Sequence, residues 1–267
     1  MKLKQFEENE SYIYKYGKFK DLQRTLNNRT LGFSRLNKLN DPFEASYNHV
    51  HLFATKQRAS AFSESGIFEG PEWADRNKVK ELIESKLQEV VVTCFTERPT
   101  EPLMWAHYAD NHKGVCYCFD KEALSFEGGF ECQSIQYSNK VPDVFIFENS
   151  TTEAQLEMYM PNLICTKSEA WAYEKEIRYF GESSETVHNF DITSLKAVIL
   201  GCRVTIEKTL EARKLINSIN KKFGTEIGLF HAIKDGGLYK MQIHLMQLEQ
   251  FKISASYCSQ QEPIIKV

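Results

Sequence analysis

No stretch of this chain approaches the roughly 18 apolar residues that a membrane helix requires. The longest apolar runs, such as Val90–Val92 and Val198–Leu200, are only strand-sized. The opening Met1-Lys-Leu-Lys-Gln-Phe-Glu-Glu has no apolar signal region, so neither secretion nor membrane insertion is expected. Cysteine pairs at metal spacing are missing too. The seven cysteines, at 94, 116, 118, 132, 165, 202 and 258, include no Cys-x-x-Cys and no Cys/His zinc spacing. They read as free, buried thiols in a reducing, cytoplasmic compartment. Neither a Gly-x-Gly-x-x-Gly fingerprint nor a Walker loop occurs, which argues against the ordinary dinucleotide and nucleoside-triphosphate folds. Surplus positive charge is also lacking. The net charge of −3 argues against a broad, non-specific grip on nucleic acid but leaves room for a local basic groove.

What is present is enough for a core. The chain has 267 residues, 42% hydrophobic and 26% charged, and needs no metal or disulfide to hold itself together. Without repeats or linkers it reads as one domain, 1–267, with a helical insertion near 49–90. Strands are expected at Tyr12–Tyr16, Leu31–Ser34, Val90–Phe95, Gly114–Phe119, Ser134–Tyr137, Glu174–Phe180 and Ala197–Leu200. Helices are expected at Asp21–Asn28, Leu103–Asn111, Glu153–Leu163 and, capped by Thr205, Ile206–Phe223. Val79, Leu82, Ile83, Leu87 and Val90 form a helical stripe inside the insertion. Two strand-like runs flank Asp235-Gly-Gly237, a hairpin signal. Ser254–Val267 reads as a tail or an edge strand. The order is not a steady β-α-β alternation, so the fold class is α+β, with mixed, mainly antiparallel sheets and flanking helices.

Four constellations carry candidate chemistry. In Leu39-Asn-Asp-Pro-Phe-Glu44, the polar groups of Asn40, Asp41 and Glu44 share one tight turn. They suit a ligand hydroxyl, or simply their own backbone. Cys94-Phe-Thr-Glu-Arg98 is a strand end followed by Trp105 and Tyr108, aromatics that suit stacking on a flat ring or burial in the core. His107 and His112 are five apart, so they do not form a metal pair on one helix. In Trp171-Ala-Tyr-Glu-Lys-Glu-Ile-Arg-Tyr-Phe180, a strand sends Glu174, Glu176 and Arg178 to one face. On a solvent face they would merely pair. Lining a cleft, they would offer a base, or a carboxylate to stabilise a developing cation. Lys15, between Tyr14 and Tyr16 on the first strand, suits a phosphate or an ordinary strand edge. Metal ligands are not expected.

Tyr14-Lys15-Tyr16, Leu39-Asn-Asp-Pro-Phe-Glu44, Cys94-Phe-Thr-Glu97, Met104-Trp-Ala-His-Tyr108, His112-Lys-Gly114 and Trp171-x-Tyr-Glu-x-Glu-x-Arg178 occur in this order. Over roughly Tyr12–Gly201 the chain resembles the bacterial domain-of-unknown-function family numbered 2971, a likeness that confers no function. More remotely it is similar to the ADP-ribosyltransferase superfamily, especially the DNA-modifying toxin branch. That second resemblance implies an ADP-ribosyltransferase-like fold in which Lys15 stands where the superfamily has His or Arg. It implies Glu176 as the catalytic carboxylate, with Glu174 second. It also implies NAD, as substrate, in a cleft drawn from Lys15, Tyr16, Asn40, Asp41, Trp105, Tyr108, Tyr173 and Arg178. A carboxylate there would stabilise the oxocarbenium character that builds as the glycosidic bond of NAD breaks.

The expectation is therefore an NAD-dependent ADP-ribosyltransferase-like enzyme acting on an unknown intracellular acceptor, nucleic acid or protein. Its setting would be a bacterial toxin or a phage-defence effector, with an antitoxin or defence-system partner. The rival from another class is a non-catalytic sensor that holds a nucleotide or a protein. A third reading is a nuclease using Asp41, Glu44, Glu174 and Glu176 around magnesium. It suffers because no carboxylate cluster has a recognisable metal spacing.

Overall fold

The computed structural model describes residues 10–44, 51–55, 76–147 and 152–246. In its first half the elements are β1 (Tyr12–Gly17), α1 (Leu22–Asn28), β2 (Thr30–Gly32), β3 (Ser34–Arg35), β4 (His51–Thr55), α2 (Arg76–Glu89), β5 (Val90–Thr96), α3 (Pro102–Tyr108), β6 (Val115–Asp120) and β7 (Glu131–Ser134). The second half adds β8 (Gln136–Tyr137), β9 (Asp143–Phe147), α4 (Thr152–Ile164), β10 (Thr166–Lys167), β11 (Glu176–Glu182), β12 (Val187–Asn189), β13 (Leu195–Leu200), α5 (Ile206–Phe223), β14 (Gly228–Lys234) and β15 (Met241–Leu245).

The architecture is α+β. Nine strands form one mainly antiparallel sheet in the order β15-β14-β13-β6-β1-β5-β11-β7, with β3 also beside β5. β13 and β14 run parallel, joined by α5 as a β-α-β unit, and three two-stranded ribbons lie apart from the main sheet. Alternation along each strand sorts the core. Ile13, Val91, Phe95, Tyr117, Phe119, Ile177 and Tyr179 meet α1 and α5 on one face of the sheet. The other face is divided. Val90, Val92 and Phe180 pack under α2 and α4, whereas Tyr14, Cys116, Cys118 and Ile199 pack around Trp105 of α3. Glu176 and Arg178 lie on this divided face, since they alternate with Ile177 and Tyr179.

One edge of β5 positions the site. Along its whole length β5 pairs with β11 on one side. Its other side is shared. β1 meets it at a single pair, Tyr14 with Thr96, and β3 meets it at Val91 and Val92. Among the described residues, Thr93–Phe95 have no strand partner on that edge. The sheet therefore opens between β1 and β3.

Most expected elements are in place, and Thr205 caps α5 by accepting the Lys208 N–H. The 49–90 segment differs from its helical reading. His51–Thr55 is a strand, parallel to β9, and the described helix begins at Arg76. Residues 56–75 and the tail at Ser254–Val267 lie outside the described residues. Leu103–Asn111 ends as a helix at Tyr108, because Asp110, Asn111 and His112 all adopt left-handed backbone, with φ of 48°, 52° and 68°. Glu174 does not belong to β11. It closes a 3-10 turn over Glu169–Glu174, and Lys175, at φ 44°, bends the chain before the strand begins at Glu176.

Candidate functional site

The opening between β1 and β3 leads into a cavity of about 290 Å³. Its walls include Lys15, Tyr16, Ser34, Asn40, Cys94 and Tyr108, and the groups at its base are ionic. Lys167, from the two-residue strand β10, is central there. Its Nζ lies 2.6 Å from Glu174 Oε2, 3.0 Å from Glu176 Oε2 and 3.0 Å from Glu44 Oε1. The Glu44 contact is an ion pair rather than an aligned hydrogen bond. Arg178 holds two of these carboxylates, Glu176 and Glu44, from the other side. Its Nε donates to Glu176 Oε1 at 2.8 Å, its Nη2 to Glu44 Oε2 at 2.5 Å, and its Nη1 to the Ile164 carbonyl. All five side chains are buried, Arg178 completely. Charges removed from water in this way persist only when paired and hydrogen-bonded.

The two sequence-predicted carboxylates have different surroundings. Burial alone would raise the Glu176 carboxyl, but Arg178 and Lys167 outweigh it and draw it down to about 2. Both oxygens of Glu176 are committed to cations. For Glu174, burial prevails over Lys167, and its carboxyl is raised above the ordinary carboxylate value. Its Oε1 accepts from the Tyr108 hydroxyl at 2.6 Å, and that hydroxyl accepts from Asn40 Nδ2 at 2.9 Å. Asn40 is exposed and Tyr108 half-buried, so this chain of hydrogen bonds runs from solvent to Glu174. Tyr108 is itself held protonated, by burial first and then by Glu174. The ammonium of Lys167 is raised, because Glu176, Glu44 and Glu174 outweigh its desolvation.

Lys15 stands on the opposite wall. Its Nζ donates to the Cys94 carbonyl at 3.2 Å and lies 5.3 Å from the centre of the Phe95 ring. Burial lowers its pKa. The Cys94 thiol is pushed up to about 12, by burial first and then by Glu176, so it stays a thiol. Tyr16 donates to the Arg98 carbonyl at 2.8 Å. Trp105 is wholly buried in the core under α3, with its indole N–H on the Pro99 carbonyl. Asp41 is buried and accepts the Phe43 N–H, a turn closing on its own backbone. Tyr173 lies on the 3-10 turn beside Trp171, their ring centres 6.1 Å apart.

The structure thus brings Lys15, Tyr16, Asn40, Tyr108, Glu174, Glu176 and Arg178 to one cavity. Trp105, Asp41 and Tyr173 do not line it. Sequence reasoning missed Lys167, which stands between Thr166 and Ser168, outside the Glu-x-Glu-x-Arg segment. The one available clue was an isolated lysine seven residues before Glu174, beside the apolar Ile164-Cys165. The same lysine bears on metal chemistry. Glu44, Glu174 and Glu176 converge as a cation site would, but the Lys167 ammonium already fills the centre.

Residues 104–179 match the family model described as "Protein of unknown function (DUF2971)". That segment runs from α3 into β11 and carries Tyr108, Lys167, Glu174, Glu176 and Arg178. No curated protein and no solved structure matches the chain. Among the described residues no helix is long and apolar enough to cross a membrane.

Proposed function

We propose that the chain is an ADP-ribosyltransferase-like enzyme that takes NAD into the opening between β1 and β3. It would transfer ADP-ribose to an intracellular acceptor, in the setting of a toxin or phage-defence effector that the resemblance implies. One observation carries the reading. A buried carboxylate, Glu174, is wired through Tyr108 and Asn40 to an open cavity beside an unpaired strand edge. Cleaving nicotinamide from ribose builds positive charge at the anomeric carbon, and a preorganised carboxylate in a water-poor site stabilises it. The backbone at Cys94 would offer a strand-type donor to a carboxamide, beside the carbonyl that Lys15 holds. Lys15, across the cavity, offers an ammonium to the diphosphate.

In this reading Glu174, not Glu176, meets the substrate. Glu176 has both oxygens in ion pairs, so it positions Lys167 and Arg178. The partner of Glu174 Oε1 is a half-buried tyrosine hydroxyl that a ribose hydroxyl can displace. The complete pairing of Glu176 equally suits a non-catalytic module that holds a nucleotide as a sensor.

The test is nicotinamide release from NAD by the purified protein, with and without cell lysate. Release is expected, and Lys15→Met is expected to raise KM about tenfold, with kcat changed less, as loss of one charged contact would. NAD bound without release would favour the sensor. Neither binding nor release would remove both readings.

A further inference from the structure

A second cavity, of about 620 Å³, lies apart from the one described above. It lies beyond the carboxyl ends of the parallel strands β13 and β14, where open parallel units place ligands because strand ends and loops converge there. α3 separates the two cavities, with Met104 and Tyr108 facing the first and Pro102 the second.

The charge of the lining is one-sided. Among the described residues that line it, Arg203, Lys234 and Lys240 supply three cations against a single acid, Asp235, in a chain whose net charge is −3. Both Asp235 oxygens are committed to the hairpin. Oδ1 accepts from the Gly237 and Leu238 N–H groups, and Oδ2 from Gln242. His112 also lines the cavity, with a buried Nδ1 that has no hydrogen-bond partner among the described residues. Burial and the nearby Arg203 keep its ring neutral. A buried polar atom left open in this way is costly unless something completes it.

The backbone that presents His112 is strained. Asp110, Asn111 and His112 are three successive non-glycine residues in the left-handed region. Two glycines hold them there. A Cβ on Gly201 would lie 2.2 Å from the His112 carbonyl oxygen, and one on Gly114 would lie 2.2 Å from that of Gly17. The Arg203 N–H closes on the His112 carbonyl at 3.0 Å, which ties the cationic loop to the strained turn.

We infer that this second cavity is a binding site for a small phosphate-bearing ligand of mononucleotide size. Arg203 and Lys234 would hold the phosphate, and His112 Nδ1 would complete its hydrogen bonds. The inference is independent of NAD turnover at the first cavity.

Calorimetric titration of the full chain with inorganic pyrophosphate and with AMP tests it and separates a bare phosphate site from a nucleotide site. Both are expected to bind, AMP the tighter if the base contributes. Arg203→Gln and Lys234→Gln, both exposed, are each expected to weaken binding at least tenfold with unchanged melting. His112→Asn keeps a residue that tolerates the left-handed region and should weaken it too. Lys15→Met, in the first cavity, should keep the component of binding that Arg203→Gln and Lys234→Gln remove. The inference is overturned if neither probe binds, or if Arg203→Gln and Lys234→Gln bind normally. It also fails if Lys15→Met abolishes binding, or if only a long single-stranded oligonucleotide binds.

Discussion

Replacing Arg178 by methionine is expected to destabilise the fold by about 3–5 kcal/mol, because it leaves buried carboxylates short of a cation. Glu176 and Glu44 would share Lys167 alone, and the Ile164 carbonyl would lose its donor. For a chain of this size the melting temperature should fall on the order of 10 °C. Lys167→Met should be comparably severe, since three carboxylates converge on that ammonium. A thermal melt of either variant within a degree or two of wild type would show that water reaches these groups and that the network contributes little.

The same network fixes the sign of the acid response. The Glu176 carboxyl is drawn from an ordinary 4.5 down to about 2 by Arg178 and Lys167 against the effect of burial. Its contribution to stability is therefore fully present above about 4.5 and is lost as the pH falls toward 2. Glu174, which is raised, acts in the opposite sense: its contribution is present at low pH and is lost as the pH rises through its folded value. Urea midpoints between pH 6 and 2 should fall steeply for the wild type (about four pH units of scan suffice). The fall should be shallower in Glu176→Gln, which begins from a lower midpoint. Parallel curves would assign the acid transition to other carboxylates.

Local patterns in the sequence identified what local physics controls. β1, β5 and α5 follow from β-branched and aromatic runs, from helical spacing and from the Thr205 cap, and each is formed. The Glu-x-Glu-x-Arg segment was recognisable as unusual, but its arrangement was not. Alternation from a single strand places Glu174, Glu176 and Arg178 in a row and leaves open which face is covered. In the fold Lys175 takes the left-handed region, so Glu174 leaves the strand and reaches Lys167 from a 3-10 turn. Glu44 joins Lys167 from far along the chain, through tertiary packing that no short window contains. β4 was missed for the same reason, since its partner β9 lies far along the chain. Trp105 had two readings, stacking platform or core, and only the packing of α3 on β1 places it in the core.

Glu174→Gln is expected to abolish nicotinamide release while the protein stays folded, and the number of cations each carboxylate holds explains why the two glutamates should differ. Around Lys167 and Arg178 there are three carboxylates against two cations. Neutralising Glu174 balances the set, and glutamine still offers an oxygen to the Tyr108 hydroxyl. Neutralising Glu176 instead removes one of the two carboxylates that bridge both cations. Loss of a preorganised charge at the reacting centre should lower kcat by about 10²–10³-fold. Because burial raises the Glu174 carboxyl, the wild-type pH–rate profile should show an acidic limb above the ordinary value of 4.5, with activity present only once that carboxyl is ionised. Release that survives in Glu174→Gln, with the same acidic limb, would remove Glu174 from the chemistry. Loss of release together with loss of NAD binding would make it a binding group instead. Loss of release with NAD still bound and melting unchanged is the result that the Asn40–Tyr108–Glu174 chain predicts.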